Sequence, residues 1–84
     1  MKQIGSLTNL EIGEYAKVIW LNAVGAMRRR LQDIGLTEGT IVECVLKSPS
    51  SDPIAYQIRG AVIALRNEDS NQILVSMWKH MEAD

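Results

Sequence analysis

The chain has 84 residues, of which 46% are hydrophobic and 23% charged, and its formal net charge is −1. This length fits one domain, and the near-neutral charge argues against a nucleic-acid binder, whose phosphate-contacting surface is usually strongly basic. The single cysteine excludes an internal disulfide. The longest apolar run, Ala61 to Leu65, is far shorter than the roughly 20 residues that span a bilayer. We therefore expect a cytoplasmic protein with no membrane insertion of its own.

The first predicted elements are a short leading segment at residues 7–12 and a strand at residues 15–21. The strand is rich in β-branched and aromatic residues, which fit a half-buried pleated surface. Because side chains alternate between the faces of a strand, Ala16, Val18 and Trp20 are expected to share one face.

A helix over residues 23–34 follows. Apolar side chains recur there at spacings of three and four residues, at Val24, Met27, Leu31 and Ile34. Asn22 suits the N-cap position, and Gly35 suits the left-handed position just past a helix end. A helix this short is marginal alone, so we expect its apolar stripe to dock on the rest of the protein.

The remaining chain predicts four more strands. They lie at residues 40–47, 54–58, 62–66 and 73–78, separated by a Pro- and Ser-rich loop, a tight hairpin at Gly60 and a polar turn at 67–71. In the first of these strands Val42, Cys44 and Leu46 are expected to share one face.

This order of elements predicts a mainly β fold. Short strands with tight turns favour a small SH3-like antiparallel five-stranded barrel with one short α-helix between the first two strands. The single domain fills residues 1–84, with its core in about 7–78 and a flexible tail in 79–84.

Residues for catalysis are scarce. The sequence has one histidine, His80, and one cysteine, Cys44, whereas a catalytic thiol needs a base within hydrogen-bonding reach. Cys44 is expected mid-strand, where free cysteine usually packs as a small buried apolar side chain. The one Gly-x-x-x-Gly, Gly35 to Gly39, lacks the Lys-Ser/Thr of a phosphate-binding loop. We expect no enzyme activity.

Metal binding has only weak candidates, His80 and Glu82. Fe²⁺ favours imidazole and carboxylate ligands, ideally two histidines and one acid, and His80 stands alone near the C-terminus. An exposed tail histidine is the simpler interpretation. We expect no resident cofactor, with weak Fe²⁺ association as the alternative.

Arg28, Arg29 and Arg30, with Met27 and Trp78, are the candidate partner-binding residues. Arginine and tryptophan are enriched at protein interfaces. One alternative is a solvated helix face on which Arg29 pairs with Asp33, while Arg30 forms an internal ion pair and Met27 packs in the core. Another is RNA binding by the three arginines, although the rest of the chain supplies no basic surface for it. An arginine finger on a partner's phosphate is a further option.

Five pieces of the sequence stand in an order and at intervals typical of one family. They are Leu7-x-x-Leu10-x-x-Gly13-x-x-Ala16-x-Val18, Arg30-Leu31-x-x-Ile34-Gly35-Leu36-x-x-Gly39-Thr40, Pro49-x-x-Asp52-Pro53-Ile54-x-Tyr56, Arg59-Gly60-x-x-Ile63-Ala64-Leu65-Arg66 and Ile73-x-Val75. In these pieces the chain resembles the FeoA family from Leu7 to about Val75. It departs from the family pattern at Glu38, where proline is frequent, and near Ser51, where glycine is common.

The resemblance implies an SH3-like domain that acts with FeoB, a membrane permease with a cytoplasmic GTP-binding domain. On this basis we expect a non-enzymatic regulator of ferrous iron uptake, recruited by its partner to the inner face of the membrane. We expect no nucleic-acid partner, and a monomer or weak homodimer. The alternatives are a Fe²⁺ sensor or carrier, and a stand-alone module that resembles the C-terminal SH3-like domain of iron-dependent repressors.

Overall fold

The computed structural model describes residues 2–78, which form one antiparallel sheet and two short helices. The strands are β1 (Lys2–Ser6), β2 (Tyr15–Leu21), β3 (Ile41–Lys47), β4 (Ile54–Ile58), β5 (Ala61–Leu65) and β6 (Ile73–Trp78), and the helices are α1 (Gly25–Asp33) and α2 (Asn67–Ser70). A 3-10 turn at Leu7–Asn9 follows β1. The strands lie side by side in the order β1-β6-β2-β3-β4-β5.

The mainly β antiparallel fold with a helix between the first two predicted strands is confirmed, but the sheet has six strands and not five. The additional strand is β1, which pairs with β6 so that Gly5 lies opposite Val75. Its sequence mixes polar residues and glycine, which are depleted in strands, so pairing with β6 and not local propensity makes it extended. The expected tail at 79–84 lies outside the described residues.

The core is formed by the inner faces of the strands, by Leu31 of α1 and by Leu36 just after that helix. Its fully buried side chains include Ala16, Val18, Leu31, Leu36, Val42, Cys44, Ile54, Tyr56, Ile58, Ile73 and Val75. The buried residues of β4, Ile54, Tyr56 and Ile58, alternate with less buried ones, and the predicted core position of Cys44 is confirmed. The Tyr56 hydroxyl donates a hydrogen bond of 3.3 Å to the carbonyl of Leu7, which satisfies its polar group inside this core.

A β-bulge in β2 reverses the predicted side of Trp20. The pairing with β6 shifts register between Val18 and Trp20, so one residue of β2 has no partner opposite it. As a result Leu21 points into the core and Trp20 is 52% exposed. The expectation that Trp20 shares a face with Ala16 and Val18 was wrong for this reason.

A second register shift, in β3, turns the side chain of Leu46 to the surface. It falls between Cys44 and Leu46 in the pairing with β4. Val42 and Cys44 are buried as predicted, but Leu46 is 63% exposed. The expectation that these three side chains share one face was therefore wrong for Leu46.

Helix α1 is shorter at its start than predicted. It begins at Gly25, with Val24 and not Asn22 as its N-cap, and Val24 is exposed. Leu31 is buried, and Met27 and Ile34 pack against the core from half-buried positions. The predicted end is confirmed, since Gly35 has φ +103° and the N–H of Leu36 donates to the carbonyl of Leu31 at 3.0 Å.

Helix α2 is the point at which distant parts of the chain meet. The side chain of Asp52, from the loop before β4, accepts a hydrogen bond of 3.0 Å from the N–H of Asn67 at the start of α2. Arg30 of α1 donates to the Asp69 carboxylate at 2.5 Å. Two of the residues that carry the family resemblance, Arg30 and Asp52, therefore hold the fold together.

Candidate docking surface

The three consecutive arginines of α1 have different surroundings. Arg28 donates to the carbonyl of Leu21 at 3.0 Å, which places its guanidinium beside the end of β2. Arg30 pairs with Asp69, the internal ion pair that was one alternative in the sequence. Neither of the two salt bridges within residues 2–78 involves Arg29, which is exposed. Of these three arginines, Arg29 is thus the one with the most freedom to meet a partner.

Of the other predicted site residues, Met27 lies on α1 beside Arg28, and Trp78 lies on β6. Met27 packs against the core, which is the alternative to partner binding that the sequence offers for this residue. Trp78 is half-buried at the end of β6, opposite Tyr15 of β2. His80 and Glu82 lie outside the described residues, so the weak metal site stays a prediction. Within residues 2–78, no group of three or more His, Cys, Asp or Glu side chains could hold a metal ion.

An exposed apolar surface lies on the outer face of β1, β6 and β2. Leu74 of β6 is directly opposite Ser6 of β1 on one side and Trp20 of β2 on the other. Ile4, two residues before Ser6 on the same face of β1, is 62% exposed, and Trp20 and Leu74 are also exposed on this face. Directly opposite side chains in an antiparallel pair are about 5 Å apart at Cβ. We name Ile4, Trp20 and Leu74 the outer patch.

A groove of about 250 Å³ adjoins the outer patch. It is lined by Ser6, Trp20, Asn22, Asn71, Gln72, Ile73 and Leu74, none of which is charged. The Thr8 hydroxyl donates to Asn71 Oδ1 at 2.7 Å and shares a hydrogen bond of 2.5 Å with the Ser6 hydroxyl, which fixes the polar rim. An apolar wall with a fixed polar rim suits an apolar side chain of a protein partner.

Two positively charged side chains, those of Lys17 and Arg28, belong to the strand of Trp20 or are hydrogen-bonded to its end. Lys17 lies in the same cross-strand row as Ile4, since both are opposite Ser76. Arg28 is held beside the end of β2 by its bond to Leu21, the residue after Trp20. An apolar centre with a cationic border favours a partner surface that is apolar at its centre and acidic at its border.

The outer patch is not among the surfaces that the sequence predicts. Trp20 was predicted to share a face with Ala16 and Val18, because a strand without a bulge alternates strictly, and Ile4 lies before the first predicted strand. One signal was present: Leu74 stands between Ile73 and Val75 in a strand, so if those two residues face the core, Leu74 must face outward.

Two buried groups have raised pKa values. Burial raises the pKa of the Cys44 thiol above its usual 9.0, and the nearby Lys47 opposes this only in part. The pKa of Tyr56 is raised to about 12 because the effect of burial outweighs that of a hydrogen bond with Ser70, which lowers the pKa. Both groups are therefore neutral at pH 7 and belong to the core, not to the outer patch.

Known proteins are similar to this chain in sequence and fold. A family model described as the FeoA domain matches residues 5–77. A fusion protein of Porphyromonas gingivalis, Fe(2+) transport protein A/Fe(2+) transporter FeoB, is 30% identical over 71 residues, which is 84% of this chain and 8% of that protein. This chain thus spans a small fraction of that relative. In residues 2–78, no helix is long and apolar enough to cross a membrane.

Solved structures agree with this match. The solution structure of a FeoA-like protein from Clostridium acetobutylicum is 31% identical with a TM-score of 0.84, over 100% of this chain and 98% of that chain. Stenotrophomonas maltophilia FeoA complexed with zinc, described as a prokaryotic SH3 domain protein, is 27% identical with a TM-score of 0.74, over 83% of this chain and 87% of that one. The SH3-like fold is therefore confirmed, and the chain belongs to the FeoA domain family.

Proposed function

We propose that this chain is a non-enzymatic accessory protein of bacterial ferrous iron uptake, which binds the cytoplasmic GTP-binding part of a FeoB-type permease. The observation that carries the proposal is the Porphyromonas gingivalis relative, in which Fe(2+) transport protein A and the FeoB transporter form one fusion protein. Fusion keeps two domains at a high effective concentration, so it supports a functional contact between them.

The outer patch is the surface that we assign to this contact. Trp20 is half exposed and lies beside Leu74 on a rigid sheet, and tryptophan is the residue type most enriched among those that dominate binding energy. The adjoining groove can take an apolar side chain of the permease. Lys17 and Arg28 at the border favour an acidic surround on the permease.

A binding protein of this kind acts through differential affinity. It shifts the permease toward the state to which it binds more tightly, and a tenfold preference corresponds to about 1.4 kcal/mol. The GTP-binding domain of the permease has two states, one with GTP bound and one with GDP bound. We therefore expect the affinity of this chain for the permease to depend on the bound nucleotide.

The direct test is a titration of this chain against its FeoB-type permease in nanodiscs. The permease is loaded with GDP in one series and with a non-hydrolysable GTP analogue in the other. We expect saturable binding, with affinities that differ at least threefold between the two nucleotides. Absence of binding in both series contradicts the proposal, and equal affinities contradict regulation through the nucleotide state.

The same preparation tests the arginine-finger option. Arg28 and Arg30 are both engaged within the chain, which leaves Arg29 as the candidate that could reach a phosphate. If Arg29 acts as a finger, this chain accelerates GTP hydrolysis by the permease and Arg29→Ala abolishes the acceleration. An unchanged hydrolysis rate with the wild-type chain rules the option out.

A further inference from the structure

Strand β5 forms one edge of the sheet. Within residues 2–78 it pairs only with β4, through a register that has no shift from Ile58 opposite Ala61 to Ile54 opposite Leu65. The connecting turn has positive φ at both central residues, 49° at Arg59 and 84° at Gly60, which defines a type I′ hairpin.

The hairpin determines which backbone groups of β5 face outward. In a two-residue hairpin the residues that flank the turn, here Ile58 and Ala61, form a hydrogen-bonded pair. Ala61, Ile63 and Leu65 therefore direct their N–H and C=O groups toward β4. Val62 and Ala64 direct theirs away from the sheet, where no hydrogen bond of the described residues involves them.

This edge lacks the usual protection against strand pairing. Natural sheets protect their edges with charged residues, prolines or bulges, and the five residues of β5, Ala-Val-Ile-Ala-Leu, contain none of these. The opposite edge differs, because the N–H of Ser6 at the end of β1 already donates to Asn9 Oδ1 at 3.0 Å. The edge of β5 is thus the one better suited to accept another strand.

We propose that β5 pairs antiparallel with β5 of a second copy of this chain, about a two-fold axis at Ile63. Val62 of each copy then exchanges a pair of backbone hydrogen bonds with Ala64 of the other. Ile63 is half-buried against the core of each copy. In the dimer it contacts Ile63 of the other copy, so the two cores become continuous across the axis. The dimer is distinct from the docking surface, because β3 and β4 separate β5 from the strands of the outer patch.

The two-fold register brings no like charges face to face at the ends of the seam, so a second copy can occupy this edge without charge repulsion. In this register the exposed Arg66 of one copy lies opposite Gly60 of the other, so no like charge faces it. The guanidinium of Arg59 is turned away toward the carbonyl of Gly35, to which its Nε donates at 3.3 Å. Five residues per copy are far fewer than the roughly 20–30 of a stable interface, so the dimer is weak and reversible.

Sedimentation equilibrium over a concentration series tests the proposal on the full chain. We expect the mass of the wild type to rise from one chain toward two with concentration. Proline at an outward-facing N–H is tolerated in an edge strand, so Ala64→Pro should fold and raise the dimer dissociation constant at least tenfold. Ala64→Ser keeps the N–H and should dimerise as the wild type does. A wild type that stays monomeric at millimolar concentration overturns the proposal, and so does an Ala64→Pro variant that is folded and dimerises normally.

A dilution series followed by NMR keeps the proposal testable if Ala64→Pro fails to fold. We expect the amide signals of Val62 and Ala64 to shift with concentration, and their hydrogen exchange to slow at least tenfold in the dimer. The amides of β1 should stay unchanged. Concentration-dependent shifts confined to β1 or to the outer patch, with β5 unaffected, would show that a different surface associates and would overturn the proposal.

Discussion

At the scale of single residues, Gly35 determines how the end of α1 meets the hairpin between β4 and β5. A Cβ at Gly35 would lie 2.8 Å from Cδ of Arg59, closer than real Cβ contacts allow. The Arg59 side chain crosses the glycine and donates to its carbonyl at 3.3 Å and to Thr37 Oγ1 at 3.2 Å. Gly35 thus serves two purposes, a positive φ and the close approach of Arg59.

Gly35→Ala should therefore destabilise the protein more than Gly39→Ala. Gly39 also has a positive φ, +92°, but a Cβ there would meet nothing within 4 Å. We expect Gly39→Ala to lower the free energy of unfolding by about 1–2 kcal/mol, the strain of a left-handed alanine. Gly35→Ala should lower it by at least about 1 kcal/mol more, because Arg59 must move. Urea unfolding measures both, and equal losses would show that the contact with Arg59 carries no strain.

The buried Tyr56 should make stability fall at alkaline pH. Its pKa is about 12 in the folded protein because burial disfavours the phenolate, whereas an exposed tyrosine ionises near about 10. The folded state keeps its proton longer, so this stabilisation is full below about pH 10 and is lost as the pH rises toward 12. Cys44 acts in the same direction, because its pKa is also raised by burial.

The measurement is the free energy of unfolding between pH 8 and 12 for the wild type and Tyr56→Phe. Ionisation of Tyr56 alone should lower the free energy of unfolding of the wild type by about 2–3 kcal/mol across that range. Tyr56→Phe should start lower, because it lacks the bond to Leu7, and then decline less steeply above pH 10. Parallel curves for the two proteins would contradict the assigned cause.

At the scale of elements, one ion pair links α1 to α2. Asp69 is almost fully buried, with 10% of its side chain exposed, whereas the Arg30 side chain is 62% exposed. Removing Arg30 leaves a buried carboxylate without its charged donor, which is more unfavourable than losing a surface pair.

Arg30→Ala should therefore lower the free energy of unfolding by about 1–2 kcal/mol, after allowance for the exposure of the arginine. Arg29→Ala is the matched control, since Arg29 is the exposed neighbour on the same helix and forms neither salt bridge of residues 2–78. We expect the control to change stability by less than about 0.5 kcal/mol. Equal effects in thermal unfolding would mean that the pair with Asp69 does not stabilise the fold.

The elements also show which parts of the structure were predictable. The spans of β2, β4 and β6 follow from local runs of β-branched and aromatic residues, and the end of α1 follows from Gly35. The bulges in β2 and β3 depend on the register with a partner strand, which no local pattern encodes. The candidate site was missed for the same reason, because one extra residue in β2 turns Trp20 from the core to the surface.

At the scale of the whole molecule, the order of the strands separates two surfaces. The outer patch lies on β1, β6 and β2 at one side of the sheet, and the free edge of β5 lies at the other. The proposed docking on a permease and the proposed pairing between copies therefore use different residues and do not compete. A dimer would present two outer patches at once, which raises the apparent affinity for a partner with two copies in the membrane.

The central claim is that this protein acts through its outer patch on a FeoB-type permease. Its most direct test is the affinity of the wild type, Trp20→Ala and Leu46→Ala for that permease in nanodiscs. Trp20 and Leu46 are both exposed apolar residues, 52% and 63%, on different parts of the sheet. We predict that Trp20→Ala weakens binding at least tenfold and that Leu46→Ala leaves it within twofold of the wild type. Unchanged binding by Trp20→Ala, or equal losses in the two variants, would contradict the account.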